Sequence, residues 1–197
     1  MDTHLLLGLA TFAFVSSITP GPNNLMLMAS GANFGFRRTI PHMIGVALGF
    51  VLMVVLVGIG LAELFERYPL SHTALKGASV VYLLYLAWRI ATASAPGSAT
   101  GGGRPFGFLQ AAAFQWVNPK AWAMALTAVT AYTASRSLAD IVLVAVVFGA
   151  INLPSVGSWA LLGQELRRVL TSPGRLRVFN AAMALLLVAS LYPVLVT

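Results

Sequence analysis

Thr19-Pro20-Gly21-Pro22-Asn23-Asn24 lies inside a stretch, Thr3 to Phe36, that holds no Asp, Glu, Lys or Arg. A bilayer-spanning helix needs about 20 mainly apolar residues, so this stretch reads as a membrane span with a break in its middle. Proline has no amide proton and clashes with the carbonyl four residues back. The carbonyls of Ser16 and Ile18 therefore lose their helical partners. In hydrocarbon, broken backbone is tolerated only where it lines a cavity or is buried in protein. A second break is expected at Asn118-Pro119-Lys120, which frees the carbonyl of Gln115. Two ordinary proline kinks are the alternative reading, but Pro-Gly-Pro-Asn-Asn is more than a kink requires.

Charge-free runs continue outward from that stretch. They cover Thr39 to Ala62, Ile141 to Gln164 and Val178 to the C-terminus, and Pro105 to Ser135 carries Lys120 alone. Another span, roughly Ser71–Thr92, has an uncharged core from Gly77 to Trp88, with Lys76 and Arg89 able to snorkel at its ends. The sequence thus predicts an all-α integral membrane protein with six transmembrane helices. Composition agrees: of 197 residues 58% are hydrophobic and 9% charged, and the mean hydropathy is +0.85. A water-soluble domain carries about 25% charged residues. No Lys or Arg precedes the apolar run from Leu5, so the first helix reads as retained rather than as a cleaved signal. The absence of cysteine excludes disulfides and thiolate metal sites.

The net charge of +7 is a topology signal rather than a nucleic-acid one. Arg37 and Arg38 lie in the first connection, Arg89 and Arg104 in the third, and Arg167, Arg168, Arg175 and Arg177 in the fifth. The opposite face holds Arg67, Lys76 and Arg136 beside Asp2, Glu63, Glu66 and Asp140. Lys/Arg in short loops face the cytoplasm, so both termini are expected outside, and the basic face suits anionic lipid.

Residues 93–107 are Gly/Ser/Ala-rich and read as a flexible cytoplasmic linker. Their glycines follow no strand and precede no Lys-Ser/Thr, which argues against a phosphate loop. The linker divides a single transporter domain, 1–197, into three-helix halves, 1–92 and 108–197. An odd number of spans per half makes them inverted repeats, with helices 1 and 4 broken at midspan. Paired broken helices point to a transport site. Ser137-Leu-Ala-Asp140 matches a capping box for helix 5, and Ser172-Pro173 an N-cap for helix 6. Gly45 and Gly49 have the spacing of close helix packing.

Lys120 is the ionisable group expected near the midplane, where charge is expensive and defaults to function. It can meet a solute carboxylate, or cycle a proton, since burial penalises the charged form. A structural lysine bonded to loosened carbonyls is the other reading. Asn23, Asn24, Asn118 and Asn152 bring donors and acceptors that suit a zwitterion, or else tie helices together. Asn152 lies two residues before Pro154, which suggests a break in helix 5 as well. Trp116 and Trp122 bracket Lys120 and either wall a cavity or pack. His4, His42 and His72 are scattered at helix ends, with His42 expected on the cytoplasmic side, and form no metal set. No carboxylate lies inside a span, so paired-acid hydrolysis and acidic metal cages are excluded and a neutral or anionic solute is favoured.

Thr19-Pro20-Gly21-Pro22-Asn23-Asn24, Gly35-Phe36-Arg37-Arg38, Tyr85-Leu86-Ala87-Trp88-Arg89 and Gln115-Trp116-Val117-Asn118-Pro119-Lys120-Ala121-Trp122 together resemble the LysE/RhtB family of amino-acid exporters. The likeness covers nearly the whole chain and is nearest to the short cysteine/O-acetylserine or homoserine/threonine exporters. The resemblance implies a bacterial inner-membrane exporter of small amino acids or their derivatives, driven by the proton gradient. By matching position it assigns Pro20, Gly21, Pro22, Asn23, Asn118, Pro119 and Lys120 to the central site. The glycine-rich linker departs from the family pattern. Asn24, Trp122 and Asn152 complete the expected solute-binding set, and Lys120 is the expected proton-coupling group. Amino-acid solute and membrane lipid are the expected partners, homo-oligomers stay open, and no cofactor, metal or nucleic acid is expected. The alternative is an ion or metal permease on a related scaffold. An enzyme is disfavoured, because no Ser/His/Asp set or carboxylate pair can be assembled.

Overall fold

Asp2 opens the first helix by accepting the Leu5 N–H at 2.7 Å, which satisfies one of the free donors of the first turn. Ser137 and Ser172 cap two later helices in the same way, accepting from the Asp140 and Arg175 amides at 3.2 Å each. The capping box expected at Ser137 is only half formed. The Asp140 carboxylate accepts instead from the Ser135 amide and hydroxyl, at 3.1 and 2.7 Å.

The computed structural model describes residues 1–61, 63, 67–93, 104–133, 135 and 137–192. Glu66, Arg136 and most of the 93–107 linker lie outside the described residues. Within them the chain is helical without strands: α1 Thr3–Ile18, α2 Pro22–Phe34, α3 Phe36–Leu56, α4 Pro69–Ala91, α5 Phe108–Phe114, α6 Pro119–Tyr132, α7 Leu138–Arg167 and α8 Pro173–Ala189. A π turn, Val57–Leu61, extends α3, and a 3-10 turn, Gln115–Val117, extends α5. Gly60 in the π turn has φ +116°, a conformation that favours glycine.

Three helical stretches, Phe36–Leu61, Thr73–Ala91 and Leu138–Arg167, are long and apolar enough to cross a membrane. The pair Thr3–Ile18 and Pro22–Phe34 forms a further candidate span bent by 54°. Polarity is arranged inside out. Leu7, Leu48, Leu70, Val81, Leu109 and Leu185 are exposed, whereas Ser17, Asn24, Gln115, Asn118 and Asn152 are buried. That distribution suits a hydrocarbon solvent, where backbone breaks and amides must be sheltered by protein.

Small residues set the closest helix approaches. A Cβ on Gly45 would collide with the Phe108 carbonyl oxygen, and one on Gly49 would sit 2.6 Å from the Ala112 Cα. The Gly45/Gly49 spacing thus brings α3 against α5. A reciprocal pair joins α2 to α7: a Cβ on Gly31 would meet the Ala160 carbonyl oxygen, and one on Gly163 the Met28 carbonyl oxygen.

The break expected in helix 5 does not occur. α7 runs through Pro154 without interruption, and α3 likewise runs through Pro41. A single proline in a membrane helix is tolerated when neighbouring helices and hydroxyl side chains support the turn. Here α7 is flanked by α1, α2 and α3, and the Ser155 hydroxyl donates to the Ile151 carbonyl at 2.8 Å, next to the Ala150 carbonyl that Pro154 leaves without its amide. At 19–22 the chain has two prolines flanking Gly21, whose backbone is extended at φ −176°, and the helix parts.

The alternate connections meet at one end of the molecule. The Phe36 amide donates to Gln164 Oε1 at 2.8 Å, joining the starts of connections one and five. Asn33 and Asn180 exchange amide hydrogen bonds at 2.8 and 3.2 Å, and Asn180 also donates to the Ala93 carbonyl at 3.3 Å. Arg37, Arg38, Arg89, Arg104, Arg167 and Arg168 therefore belong to one end. At the other end Phe12 stacks on Tyr132, ring centroids 5.8 Å apart.

Candidate functional site

The two breaks face each other. α1 stops at Ile18 and α2 starts at Pro22; across from them α6 starts at Pro119, with Asn118 extended at φ −96°, ψ 106°. Each new helix opens on a proline, which suits the first helical position. Asn118 caps α6 by accepting the Lys120 amide at 3.2 Å.

Each carbonyl exposed by the first break has found a partner. Ile18 O accepts from the Trp159 indole N–H at 3.0 Å. The Asn24 amide donates to Ser17 O and Thr19 O, both at 2.8 Å. Ser16 O accepts from the Thr19 hydroxyl at 3.1 Å. At the second break Gln115 O accepts the Asn118 amide at 3.2 Å, and Trp116 O accepts the Trp122 indole at 2.9 Å. Trp159→Phe keeps an aromatic ring, smaller than indole, and orphans Ile18 O. Losing that partner is expected to cost about 1–3 kcal/mol, measured as a lower unfolding midpoint in detergent.

Two direct links join the broken segments. Asn23 and Gln115 exchange amide hydrogen bonds at 2.8 and 3.2 Å. The Lys120 ammonium donates to Thr19 O at 2.8 Å, to Thr19 Oγ1 at 2.9 Å and to Pro20 O at 3.3 Å. Lys120 thus holds neutral oxygens, and no carboxylate pairs with it among the described residues. Charge-assisted hydrogen bonds to neutral acceptors leave the cation able to exchange them for an anion.

These groups border a half-open cavity of about 20 Å³ lined by Ser16, Ser17, Gly21, Asn23, Asn24, Gln115, Asn118, Lys120 and Asn152, and backed by apolar residues from α3, α6 and α7. That is room for about one water molecule. Asn152 donates to Ser17 Oγ at 3.0 Å, and its Oδ1 has no partner among the described residues. The site therefore offers a cation and two helix N-termini, whose partial positive charge favours anions. Gly21 keeps the space clear, because a Cβ there would lie 2.8 Å from Lys120 Cδ. Gly21→Ala should displace the ammonium from Thr19 and lower transport severalfold while the protein stays folded, measured as exchange rate against the unfolding midpoint.

Of the residues expected from sequence, Gly21, Asn23, Asn24, Asn118, Lys120 and Asn152 come together around this cavity. Pro20 gives its carbonyl to Lys120, and Pro22 and Pro119 start the helices. Trp122 lies elsewhere: it is 9% exposed and packs with Leu9, Phe50, Ala125 and Phe148, edge-on to Trp116 at 6.0 Å. Ser16 and Gln115 were marked in the sequence only for their freed carbonyls, and Ser17 and Trp159 not at all. The Trp159 indole meets a carbonyl 141 residues away, and no local pattern marks it.

Comparison with known proteins now places the chain. A sequence model of the LysE type translocator matches residues 14–190. The cysteine/O-acetylserine efflux protein of Escherichia coli (strain K12) is 32% identical over 191 residues, covering 95% of this chain and 96% of its own. The protein of the same name from Shigella sonnei (strain Ss046) is similar to the same extent. The one from Escherichia coli O1:K1 is 32% identical over 192 residues, covering 95% and 96%. No solved structure matches the chain.

Proposed function

The chain belongs to the family of LysE type translocators, a family of multi-pass membrane transporters, and from that membership we propose that it exports small neutral amino acids or their derivatives. Cysteine and O-acetylserine, named for its relatives, are the first candidates, and homoserine and threonine the next. One observation carries the proposal: Lys120, bonded only to neutral oxygens among the described residues, joins two broken helices at a cavity that Asn152 also lines. The ammonium suits a solute carboxylate.

The mechanism follows from the smallness of the cavity. With about 20 Å³, the site has no room for cargo as it stands, and cargo has to replace the Lys120–Thr19 and Asn23–Gln115 links. A carboxylate taking Lys120 frees the carbonyls of Thr19 and Pro20 and loosens α1–α2 from α6. We take the fold as six spans, with α1–α2 and α5–α6 each a broken one, in two inverted repeats, 1–92 and 108–197, joined by the linker 93–107. The contacts suit such a pairing, since α1 packs on α7, α5 packs on α3, and the third helices α4 and α8 pack together. Rocking of one repeat against the other then alternates access. Lys120 is also the group through which we propose that the cycle is coupled to protons.

The setting is a bacterial inner membrane, with the arginine-rich end in the cytoplasm and both termini outside. The cysteine-free sequence makes this testable with single introduced cysteines. An impermeant maleimide should label Thr3→Cys in intact spheroplasts and Arg175→Cys only after permeabilisation; the reverse pattern inverts the orientation.

Counterflow in proteoliposomes tests the function itself, with labelled cysteine, O-acetylserine, homoserine, threonine, leucine, lysine and arginine. Saturable exchange of a small neutral member is expected. Exchange of lysine or arginine alone would overturn the charge argument, and exchange of none, beside a working control transporter, would refute the amino-acid assignment.

A further inference from the structure

A second, larger cavity of about 300 Å³ lies between α2, α3, the end of α4 and residues 104–106. Met26, Ala29, Ser30 and Asn33 of α2 line it, a spacing that puts one helical face along the cavity. The preceding turn of α2 carries Asn23 and Asn24 of the central cavity. At 1.5 Å rise per residue, Asn23 and Met26 are about 4.5 Å apart along the axis, so the two cavities are strung in sequence along one helix. This one lies at the arginine-rich end, and its volume is within the roughly 300–1,000 Å³ range of small-molecule sites.

Its polar lining is cationic. Arg89 and Arg104 both border it, and neither pairs with a carboxylate among the described residues. Phe106 holds the arrangement: the Arg89 guanidinium carbon lies 5.9 Å from its ring centroid, and the His42 ring 5.4 Å from it. His42 is 1% exposed, and neither ring nitrogen has a partner among the described residues. His42 therefore packs its ring against this corner of the cavity without presenting a nitrogen to it. Nor is Asn33 free, because its amide is taken up by Asn180 and Ala29 O.

We propose that this cavity is a second solute site, which takes a small carboxylate on Arg89 and Arg104 before that carboxylate passes along α2 to Lys120. Guanidinium groups match carboxylate geometry, and cations at both cavities that α2 lines give the carboxylate a partner at each step. The choice of solute rests on the exporter reading, whereas the site itself does not. A lipid phosphate shares the oxyanion chemistry. The bare carboxylate is favoured because the His42 end is buried and α2 leads from it to the central site.

Equilibrium binding of labelled O-acetyl-L-serine to the full chain in detergent tests this, using the Lys120→Met protein to remove the central anchor. One saturable site should remain, displaced by excess acetate and not by O-acetylethanolamine, which lacks the carboxylate. The Arg89→Gln/Arg104→Gln pair added to Lys120→Met should weaken it at least tenfold. Arg89→Lys/Arg104→Lys, which keeps the charge, should fall between and shows that loss of binding is not loss of fold. Absence of binding in Lys120→Met while the wild type exchanges O-acetylserine would overturn the second site and spare the exporter reading. So would indifference to the Gln pair, or displacement by phosphatidylglycerol and not by acetate. Arginine-dependent acetate binding in a protein that exchanges no amino acid would support the site and sink the exporter reading.

Discussion

Lys120→Met is expected to reduce O-acetylserine counterflow by about 10- to 100-fold while leaving the protein folded. The ammonium makes three hydrogen bonds to Thr19 and Pro20, and in the proposed cycle it exchanges them for a solute carboxylate. Hydrogen bonds to charged groups contribute about 1.5–3 kcal/mol, and each 1.4 kcal/mol is about tenfold in affinity. Folding survives because Lys120 is half-buried and the thioether fills much the same volume. Thr19 O keeps its bond from Asn24, so the break is not left bare. The measurement is initial exchange rate per reconstituted molecule. Unchanged exchange in Lys120→Met, Asn118→Ala and their combination would remove the central site from this position.

The largest effect on stability is expected at Gly163. Adding a single methyl, Gly163→Ala, places it on the Met28 carbonyl oxygen, and Gly31→Ala does the same against Ala160 O. Neither obstacle is a side chain that can swing aside, so α2 and α7 have to separate. Overpacking of this kind costs about 1–3 kcal/mol, and because α2 lines both cavities and α7 the central one, it should also disturb transport. Gly77→Ala is the matched control: nothing lies within 4 Å of its Cβ, and the change removes a helix-interior glycine at a gain of up to about 1 kcal/mol. Thermal unfolding in detergent should fall for Gly163→Ala and hold or rise for Gly77→Ala. Equal midpoints for the two would contradict the close packing.

What could be read in the sequence follows the range of the interaction that fixes each feature. The breaks at 19–22 and 118–119 were legible because proline acts on its own carbonyl four residues away. The caps at Ser137 and Ser172, and the Gly45/Gly49 face, are local too. Pro154 shows the limit of the same rule. The missing amide is local, but whether the helix yields depends on α1, α2 and α3, which come from elsewhere in the chain. Trp159 illustrates the other case: its indole meets Ile18 O only because α7 lies against the break, and nothing within α7 announces it. Gln115 stood beside the second break, yet its role comes from Asn23, 92 residues away. His42 could be placed at the arginine-rich end from its position alone. Its isolation from any hydrogen-bond partner, and the cavity beside it, depend on the assembled helices. Trp122 was a candidate cavity wall by its distance from Lys120; the turn between them puts its ring into the core instead.

The cysteine-free sequence offers the most direct test of the requirement for a cation at the central cavity. Lys120→Cys should lose counterflow, and reaction with 2-aminoethyl methanethiosulfonate should restore it in part, since the product ends in an amine at nearly the reach of lysine. Methyl methanethiosulfonate, which leaves a neutral group, should restore nothing. Equal recovery with both reagents, or full activity of Lys120→Cys before either is added, would contradict the account.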